Sequence, residues 1–269
     1  MNSRESKMVE LLKKLKDKNN ILSVKAEFEA EGTRIDEFYR LVDIARKANV
    51  NISLKIGGCE AVRDLMEAKQ IGVDAVIAPM IESSYALSKF IEAKNKVFST
   101  ADQQDVNFLF NIETINAFHN LDDILAIASQ EKELDGVVFG RVDFTLSLKL
   151  NRDAIGNKEI TNYCIATAKK VKNSSLDFVV GGAVSIDTLS SLKDINACFL
   201  SRFETRKVIF DSESLNSKNI ESGLLDAVYF ELLWLINKKE YYKFISIEDE
   251  SRIKTLESRW NLLKTNDFF

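Results

Sequence analysis

The chain alternates, over most of its length, between short apolar runs and segments whose apolar residues recur at helical spacing. The runs predict strands at residues 21–27, 52–56, 75–80, 108–112, 136–140, 178–181, 197–200 and 208–210. The segments between them predict helices at 35–47, 60–70, 83–93, 121–128, 160–171 and 186–192. Repeated strand–helix units favour a parallel sheet with the helices outside. At 269 residues the chain is long enough for an α/β fold of the (β/α)8 TIM-barrel type.

Two further helical segments flank this repeat. Residues 8–16 are amphipathic and predict an extra N-terminal helix, and residues 224–238 predict a long helix that continues into a helical tail at 240–269. The tail is more apolar than a solvated segment, so it packs either on its own barrel or on a neighbouring subunit. No Pro/Ser-rich linker interrupts the chain, and residues 1–269 are therefore expected to form one domain.

Composition argues against several classes of function. The net charge is −4 and the basic residues are dispersed, so no nucleic-acid partner is indicated. No apolar run is long enough for a membrane span, and no signal core follows the N-terminus, which favours the cytoplasm. Three widely spaced cysteines fit neither a disulfide framework nor a zinc motif, and His119 is the only histidine.

Two carboxylates close apolar runs in successive predicted strands. Glu113 ends Phe-Leu-Phe-Asn-Ile-Glu, and Asp143 follows Gly-Val-Val-Phe-Gly-Arg-Val. In strand–helix barrels, ligands and catalytic groups gather at the carboxyl ends of the strands. Mg²⁺ takes one or two protein carboxylates and leaves room for substrate oxygens, so Glu113 and Asp143 are candidate metal ligands. The alternative is that each carboxylate only caps the helix that follows it.

Other polar residues also lie at strand ends. Lys25, Glu27 and Glu29 fall on one face of the first strand, and burying these charges requires pairing or a cation. Lys55 precedes Gly57 and Gly58, where backbone amides before a helix can approach a carboxylate or phosphate. Glu82 follows the third strand, and the first helical turn is its alternative location.

The order of these motifs resembles a known family. It is carried by Pro79-Met80-Ile81-Glu82, by Phe110-Asn111-Ile112-Glu113-Thr114 with Asn120-Leu121-Asp122, and by Asp135-Gly136-Val137-Val138-Phe139-Gly140-x-x-Asp143. It is similar to the 2-oxo acid aldolase/citrate lyase beta-subunit family of phosphoenolpyruvate/pyruvate-binding barrels. The resemblance is good over residues 55–148, looser over 25–34 and thin after Gly182.

The resemblance implies a carbon–carbon lyase acting on a 2-oxo acid or acyl thioester through a metal-stabilised enolate. It implies a divalent ion held by Glu113 and Asp143, expected to be Mg²⁺, with Mn²⁺ or Co²⁺ also suited to oxygen ligands. Lys55 matches a family arginine that grips the substrate, but lysine lacks the planar bidentate fork. Trimers or hexamers with C-terminal helices packed on neighbours are also implied.

Two departures from the family pattern affect the predicted chemistry. The early strand lacks the proton-transferring histidine of the aldolases, so Glu29, or else Glu27, becomes the candidate acid/base. Arg141 stands where aldolases commonly have proline, and it is a candidate contact for an anionic part of the substrate. The alternatives are a phosphoenolpyruvate-using transferase or acyl-CoA thioester hydrolase, and a barrel that binds a metabolite without turnover.

Overall fold

A computed structural model describes residues 1–130 and 133–265, with side chains up to residue 261, and within them eight strands form a closed barrel in sequence order. The strands are β1 Ile21–Glu27, β2 Asn51–Lys55, β3 Ala75–Ala78, β4 Asn107–Ile112, β5 Gly136–Gly140, β6 Asp177–Gly181, β7 Arg202–Glu204 and β8 Val208–Asp211. The predicted α/β barrel is confirmed.

Helices surround the barrel and extend from both ends of the chain. They are α1 Ser3–Asn19, α2 Ile35–Ala48, α3 Val62–Ile71, α4 Ser84–Val97, α5 Ile115–His119, α6 Leu121–Ala128, α7 Arg141–Ser147, α8 Lys158–Lys172, α9 Leu189–Asn196 and α10 Ile220–Thr265. Short 3₁₀ turns occur at Asp102–Gln104, Arg152–Gly156, Ile186–Thr188 and Ser212–Asn216. The extra N-terminal helix and the helical tail are both present, and residues 266–269 of the tail lie outside the described residues.

The last two strands depart from the repeat. The pairs from β1–β2 to β6–β7 are parallel, whereas β8 pairs antiparallel with both β7 and β1. A tight turn joins β7 to β8, in which the Thr205 amide donates to the Val208 carbonyl over 2.9 Å. The strand predicted at 197–200 was wrong, because that apolar stretch follows α9 as an irregular segment and the strand begins at Arg202.

The inside of the barrel is apolar on one side and polar on the other. Ala75, Ile77, Leu109, Val138 and Val179 form a buried apolar cluster contributed by β3 to β6. On the β1–β2 side, the buried hydroxyls of Ser23 and Ser53 share a 2.7 Å hydrogen bond. The polar side continues upward into the charged ends of the same strands, and it therefore positions the candidate site.

The long helix α10 packs on the barrel only along its first half. Leu224, Ala227 and Phe230 are buried there, whereas Phe244 is 73% exposed and Trp260 is 67% exposed. At the start of the tail Glu240 pairs with Arg4 and the Tyr242 hydroxyl donates to Glu37, whereas residues 243–261 are exposed. The packing of the tail on a neighbouring subunit stays a prediction. Within the described residues no helix combines the length and apolar character needed to cross a lipid bilayer.

Candidate active site

A cavity of about 490 Å³ opens at the carboxyl ends of the barrel strands, within the size range of small-molecule sites. Its charged lining residues are Lys25, Glu27, Glu29, Lys55, Glu113, Asp143, Arg152, Glu204, Arg206 and Glu231. Five of the predicted site residues, Glu27, Glu29, Lys55, Glu113 and Asp143, are therefore brought together in one cavity.

Glu113 is fixed at the end of β4 by three donors. Its Oε1 accepts from the Met80 amide over 2.9 Å, and its Oε2 accepts from Asn111 Nδ2 over 2.8 Å and from Lys55 Nζ over 3.4 Å. Met80 has a left-handed backbone with φ of 51°, which is costly for a residue with a side chain. Strain of this kind at the residue that holds Glu113 is typical of a functional site.

Two glycines on neighbouring strands make room for buried carboxylates. A Cβ at Gly140 would lie 2.7 Å from Glu113 Oε2 and 2.8 Å from Glu113 Cβ. A Cβ at Gly181 would lie 2.8 Å from Glu204 Oε1. The two glycines thus let Glu113 and Glu204 lie against adjacent backbone inside the barrel, where side chains on β5 and β6 would exclude them.

Asp143 lies in the first turn of α7, which begins directly after Gly140. Burial raises the pKa of Asp143, and the negative charge of Glu113 raises it further, against the opposing effect of Lys55. The charges of the two carboxylates therefore repel each other. A cation or a proton would relieve this repulsion.

Lys55, at the end of β2, bridges two carboxylates on either side of it. Its Nζ lies 3.0 Å from Glu29 Oε2 and 3.4 Å from Glu113 Oε2. Burial alone would lower the pKa of Lys55, but the charges of Glu113 and Glu29 outweigh it and raise the pKa. Lys55 is therefore a charged ammonium at neutral pH and can hold an anionic substrate group.

Lys25 forms a second buried ion cluster deeper in the barrel. Its Nζ lies 2.5 Å from Glu204 Oε1 and 3.0 Å from Glu27 Oε1. Burial opposes the charge on Lys25, but Glu204 and then Glu27 raise its pKa above the ordinary value. The same contact lowers the pKa of Glu27 although burial alone would raise it. Glu27 is therefore held as an ionised partner of Lys25.

The oxygen donors and the charge balance of the cavity both fit a hard dication. The lining carries six carboxylates against four basic side chains, a surplus of two negative charges. Asn111 Oδ1 is buried beside Glu113 without a hydrogen-bond partner in the described part of the chain. No cluster of three or more His, Cys, Asp or Glu able to hold one ion occurs among the described residues. Glu113 and Asp143 would leave most coordination positions to other oxygens, as Mg²⁺ sites commonly do.

Four predicted site residues lie outside this cavity lining. The Gly57 amide donates to Asp64 Oδ2 over 2.7 Å, and the half-buried Gly58 follows it. Glu82 Oε1 accepts from the Thr114 hydroxyl over 2.6 Å, which ties the third and fourth strand ends together. The geometry gives Glu82 a structural contact rather than a place at the cavity wall.

Arg141, the fourth of these residues, points into the helical layer instead of the cavity. It is 1% exposed, and its Nε donates to the Gly181 carbonyl over 3.3 Å. Burial lowers the pKa of Arg141, and among the described residues no carboxylate pairs with it. The predicted contact with substrate does not fit this orientation.

Several lining residues were missed by sequence reasoning. Glu204 belongs to β7, whose Arg-Phe-Glu sequence alternates and lacks the apolar run used to find strands. Arg152 and Arg206 lie in turns at the mouth of the cavity, where sequence gives no direction for a side chain. Asn111 and Glu113 are separated by two residues, so their side chains point to the same face of β4. This spacing could have identified Asn111 as a lining residue.

Comparison with known proteins matches the chain to one family and one fold. The HpcH/HpaI aldolase/citrate lyase family matches residues 30–191, more than half of the chain. No curated protein matches the sequence closely enough to count as a relative.

Solved structures show the same barrel. An HpcH/HpaI aldolase from Desulfitobacterium hafniense DCB-2 is 13% identical, with a TM-score of 0.59 over 77% of this chain and 84% of that chain. An HpcH/HpaI aldolase/citrate lyase family protein from Burkholderia cenocepacia J2315 is 13% identical, with a TM-score of 0.59 over 75% and 83%. The citrate synthase SbnG is 13% identical, with a TM-score of 0.56 over 74% and 81%. At this identity the likeness establishes the fold, which several reactions share.

Proposed function

The chain belongs to the HpcH/HpaI aldolase/citrate lyase family, and we propose that it is a metal-dependent carbon–carbon lyase for a 2-oxo acid or an acyl thioester. The observation that carries this proposal is the convergence of Glu113, Asp143 and Lys55 on one cavity at the carboxyl ends of the strands. Family membership supports lyase chemistry in general, and the metal, the substrate and the role of each residue are our proposal.

Glu113 and Asp143 are the proposed ligands of the ion, with Asn111 Oδ1 beside them as a further oxygen. We propose Mg²⁺, because every donor is a hard oxygen, and Mn²⁺ or Co²⁺ would suit the same set. When bound, the ion would supply the positive charge that polarises the oxo group of the substrate. The donors of Met80 and Asn111 keep the Glu113 carboxylate in place before any ligand arrives.

Lys55 is the proposed holder of the substrate carboxylate or oxo oxygen. Its raised pKa keeps it charged, and its contacts with Glu29 and Glu113 support a role beside Glu113, one of the two proposed metal ligands. A lysine offers a point charge without a planar fork, so it constrains the orientation of the bound group less than arginine does. Orientation would then depend on the ion and on the cavity walls.

Glu29 is the proposed acid/base, ahead of Glu27. Glu27 is held as an anion by Lys25, whereas Glu29 is half-buried at the mouth and contacts Lys55. When Lys55 leaves Glu29 to bind the substrate, the Glu29 carboxylate becomes free to exchange a proton with the substrate. His119 lies at the end of α5 and does not line the cavity.

The mouth of the cavity favours a substrate with a second anionic group. Arg206 is paired with Glu31 over 3.0 Å, whereas Arg152 is exposed and has no ion pair in the described part of the chain. An acyl-CoA or a dicarboxylate could place a distal charge there. This feature also suits the transferase and thioester-hydrolase alternatives, so product analysis must separate them.

The test is product release from a panel of 2-oxo acids, hydroxy oxo acids and acyl-CoA thioesters, with added Mg²⁺ and after chelation. Glu113→Gln and Asp143→Asn are expected to lower kcat/KM by roughly a hundredfold or more, whereas Glu92→Gln, on the exposed face of α4, keeps full activity. Full activity in a chelated sample, or in Glu113→Gln, would end the proposal. Phosphate or free thiol without carbon–carbon cleavage would identify one of the alternatives.

A further inference from the structure

The six carboxylates that line the cavity differ in whether a basic side chain holds them. Four of them lie within ion-pair distance of a lysine in the same cavity, namely Glu27, Glu29, Glu113 and Glu204. The other two, Asp143 and Glu231, make no ion pair within the part of the chain that the structure describes. Asp143 is a proposed metal ligand, so Glu231 is a cavity carboxylate that has neither a basic partner nor a role in the mechanism above.

Glu231 belongs to α10, which lies outside the strand–helix repeat, and its half-buried side chain forms part of the cavity wall. Its charged neighbours are Arg206 and Lys207, in the turn between β7 and β8, and Glu27 and Glu31, at and after the end of β1. Arg206 and Lys207 both pair with Glu31. These two cations are therefore directed to Glu31, and they leave the Glu231 carboxylate open to the cavity.

Glu231 and the proposed metal ligands lie on opposite sides of one narrow cavity. In a closed barrel of eight strands in sequence order, the β8–β1 edge lies opposite the β4–β5 edge, where Glu113 and Asp143 follow their strands. Lys55 shows how short the distance across is, because its Nζ is 3.4 Å from Glu113 Oε2 and 3.0 Å from Glu29 Oε2, just beyond β1. A small substrate held at the β4–β5 edge can therefore present its far part to Glu231.

We infer that Glu231 is a second catalytic carboxylate, the base that takes the proton from a substrate hydroxyl as the carbon–carbon bond breaks. The inference rests on the lyase function proposed above. The hydroxyl proton moves to the Glu231 carboxylate, the oxygen forms the new carbonyl, and the electron pair of the broken bond stays on the enolate. A proton from Glu29 then completes the oxo acid or thioester, and exchange with water at the open mouth resets both carboxylates.

The surroundings of Glu231 suit a base better than those of Glu27. Burial raises the pKa of Glu231 above the ordinary value of a glutamate, against the opposing charges of Arg206 and Lys207. Lys25, by contrast, lowers the pKa of Glu27 and keeps it as a fixed anion. A carboxylate of higher pKa accepts a proton more readily in the transition state. Glu231 therefore combines access to the cavity with the stronger affinity for a proton.

The test compares two reactions of the full-length protein with Mg²⁺. One is cleavage of a 4-hydroxy-2-oxo acid, and the other is exchange of deuterium from heavy water into the methyl group of pyruvate, followed by nuclear magnetic resonance. The exchange passes through the same enolate but involves no hydroxyl. Glu231→Gln is expected to lower kcat for cleavage by roughly a hundredfold or more and to keep the exchange rate, whereas Glu29→Gln slows both reactions. Glu221→Gln, in the exposed first turn of the same helix, is the matched control and keeps both.

The outcomes distinguish a failure of this inference from a failure of the proposed function. Cleavage by Glu231→Gln at the wild-type rate would overturn the inference and leave the lyase function standing. Equal loss of cleavage and exchange in Glu231→Gln would also overturn it, because the substitution would then act on the site as a whole. A wild-type protein that catalyses neither reaction, nor any cleavage in the panel above, would remove the lyase function and this role with it. Thermal unfolding checks that Glu231→Gln is folded, which is expected because no ion pair is lost.

Discussion

Gly140→Ala tests whether the position of Glu113 is set by the absence of a side chain on the neighbouring strand. Gly140 has a φ of −87°, so alanine fits the backbone without strain. Its new Cβ would, however, lie 2.7 Å from Glu113 Oε2 and 2.8 Å from Glu113 Cβ. Ordinary carbon contacts begin near 3.4 Å, so Glu113 must move by about 0.6 Å.

This movement has a calculable cost. Glu113 Oε1 is 2.9 Å from the Met80 amide, and a shift of this size stretches the bond to the limit of hydrogen bonding. Crowding in a packed interior costs about 1–3 kcal/mol, and a weakened hydrogen bond to a carboxylate adds to it. We expect the free energy of unfolding to fall by about 2 kcal/mol. We expect kcat/KM to fall roughly a hundredfold, since misplacement of a reacting group near 1 Å has that effect.

Gly156→Ala is the matched control, because a Cβ there meets no atom within 4 Å. Urea denaturation gives the stability of both variants, and calorimetric titration with Mg²⁺ or Mn²⁺ gives the affinity of the proposed metal site. Gly140→Ala should be less stable and bind the ion more weakly than Gly156→Ala. Equal stability and equal affinity in the two variants would refute the claim that Gly140 positions Glu113.

Three further predictions concern the charges of the cavity. Lys25→Met leaves the carboxylates of Glu27 and Glu204 buried without their cation. The free energy of unfolding at pH 7 should therefore fall by about 3–5 kcal/mol. Because Lys25 lowers the pKa of Glu27, the stability from this contact is present above pH 4.5 and is lost as the pH falls, so urea denaturation near pH 4 should show a smaller deficit. The raised pKa of Asp143 means that a proton competes with a bound ion at low pH. Calorimetry should therefore show Mg²⁺ affinity rising with pH, and less steeply in Asp143→Asn; a pH-independent affinity would contradict this. Arg152→Ala should raise KM about tenfold with little change in kcat for a substrate with a distal anionic group, and steady-state kinetics that show a fall in kcat alone would argue against binding at the mouth.

The first six strands could be predicted because buried parallel strands are continuous apolar runs bounded by polar residues. β7 does not follow that pattern, since Arg202 and Glu204 point inward and only Phe203 packs outward among apolar residues. The strand was predicted instead at the apolar residues 197–200, which precede β7. The antiparallel direction of β8 depends on a tight turn that replaces a helix, and strand spacing alone does not reveal this.

Part of the site could also be predicted, because residues that end parallel strands meet at one edge of the barrel. The prediction fails where the direction of a side chain depends on where a helix begins. α7 starts at Arg141, directly after Gly140, so Arg141 and Asp143 are two helical positions apart and point in roughly opposite directions. Asp143 faces the cavity and Arg141 faces the helical layer. A longer loop after Gly140 would have turned the side chains of Arg141 and Asp143 in other directions.

The distribution of ion pairs indicates where the surplus negative charge of the cavity lies. Lys25 is shared between Glu27 and Glu204, and Lys55 is shared between Glu29 and Glu113. Asp143 is left without an ion pair in the described part of the chain, and its pKa is raised by burial and by Glu113. Asp143 is half-buried, so leaving its charge without a cation has a cost, and Lys25 and Lys55 are already shared with other acids. A dication held between Glu113 and Asp143 would therefore offset the repulsion between these two carboxylates, which is expressed in the raised pKa of Asp143.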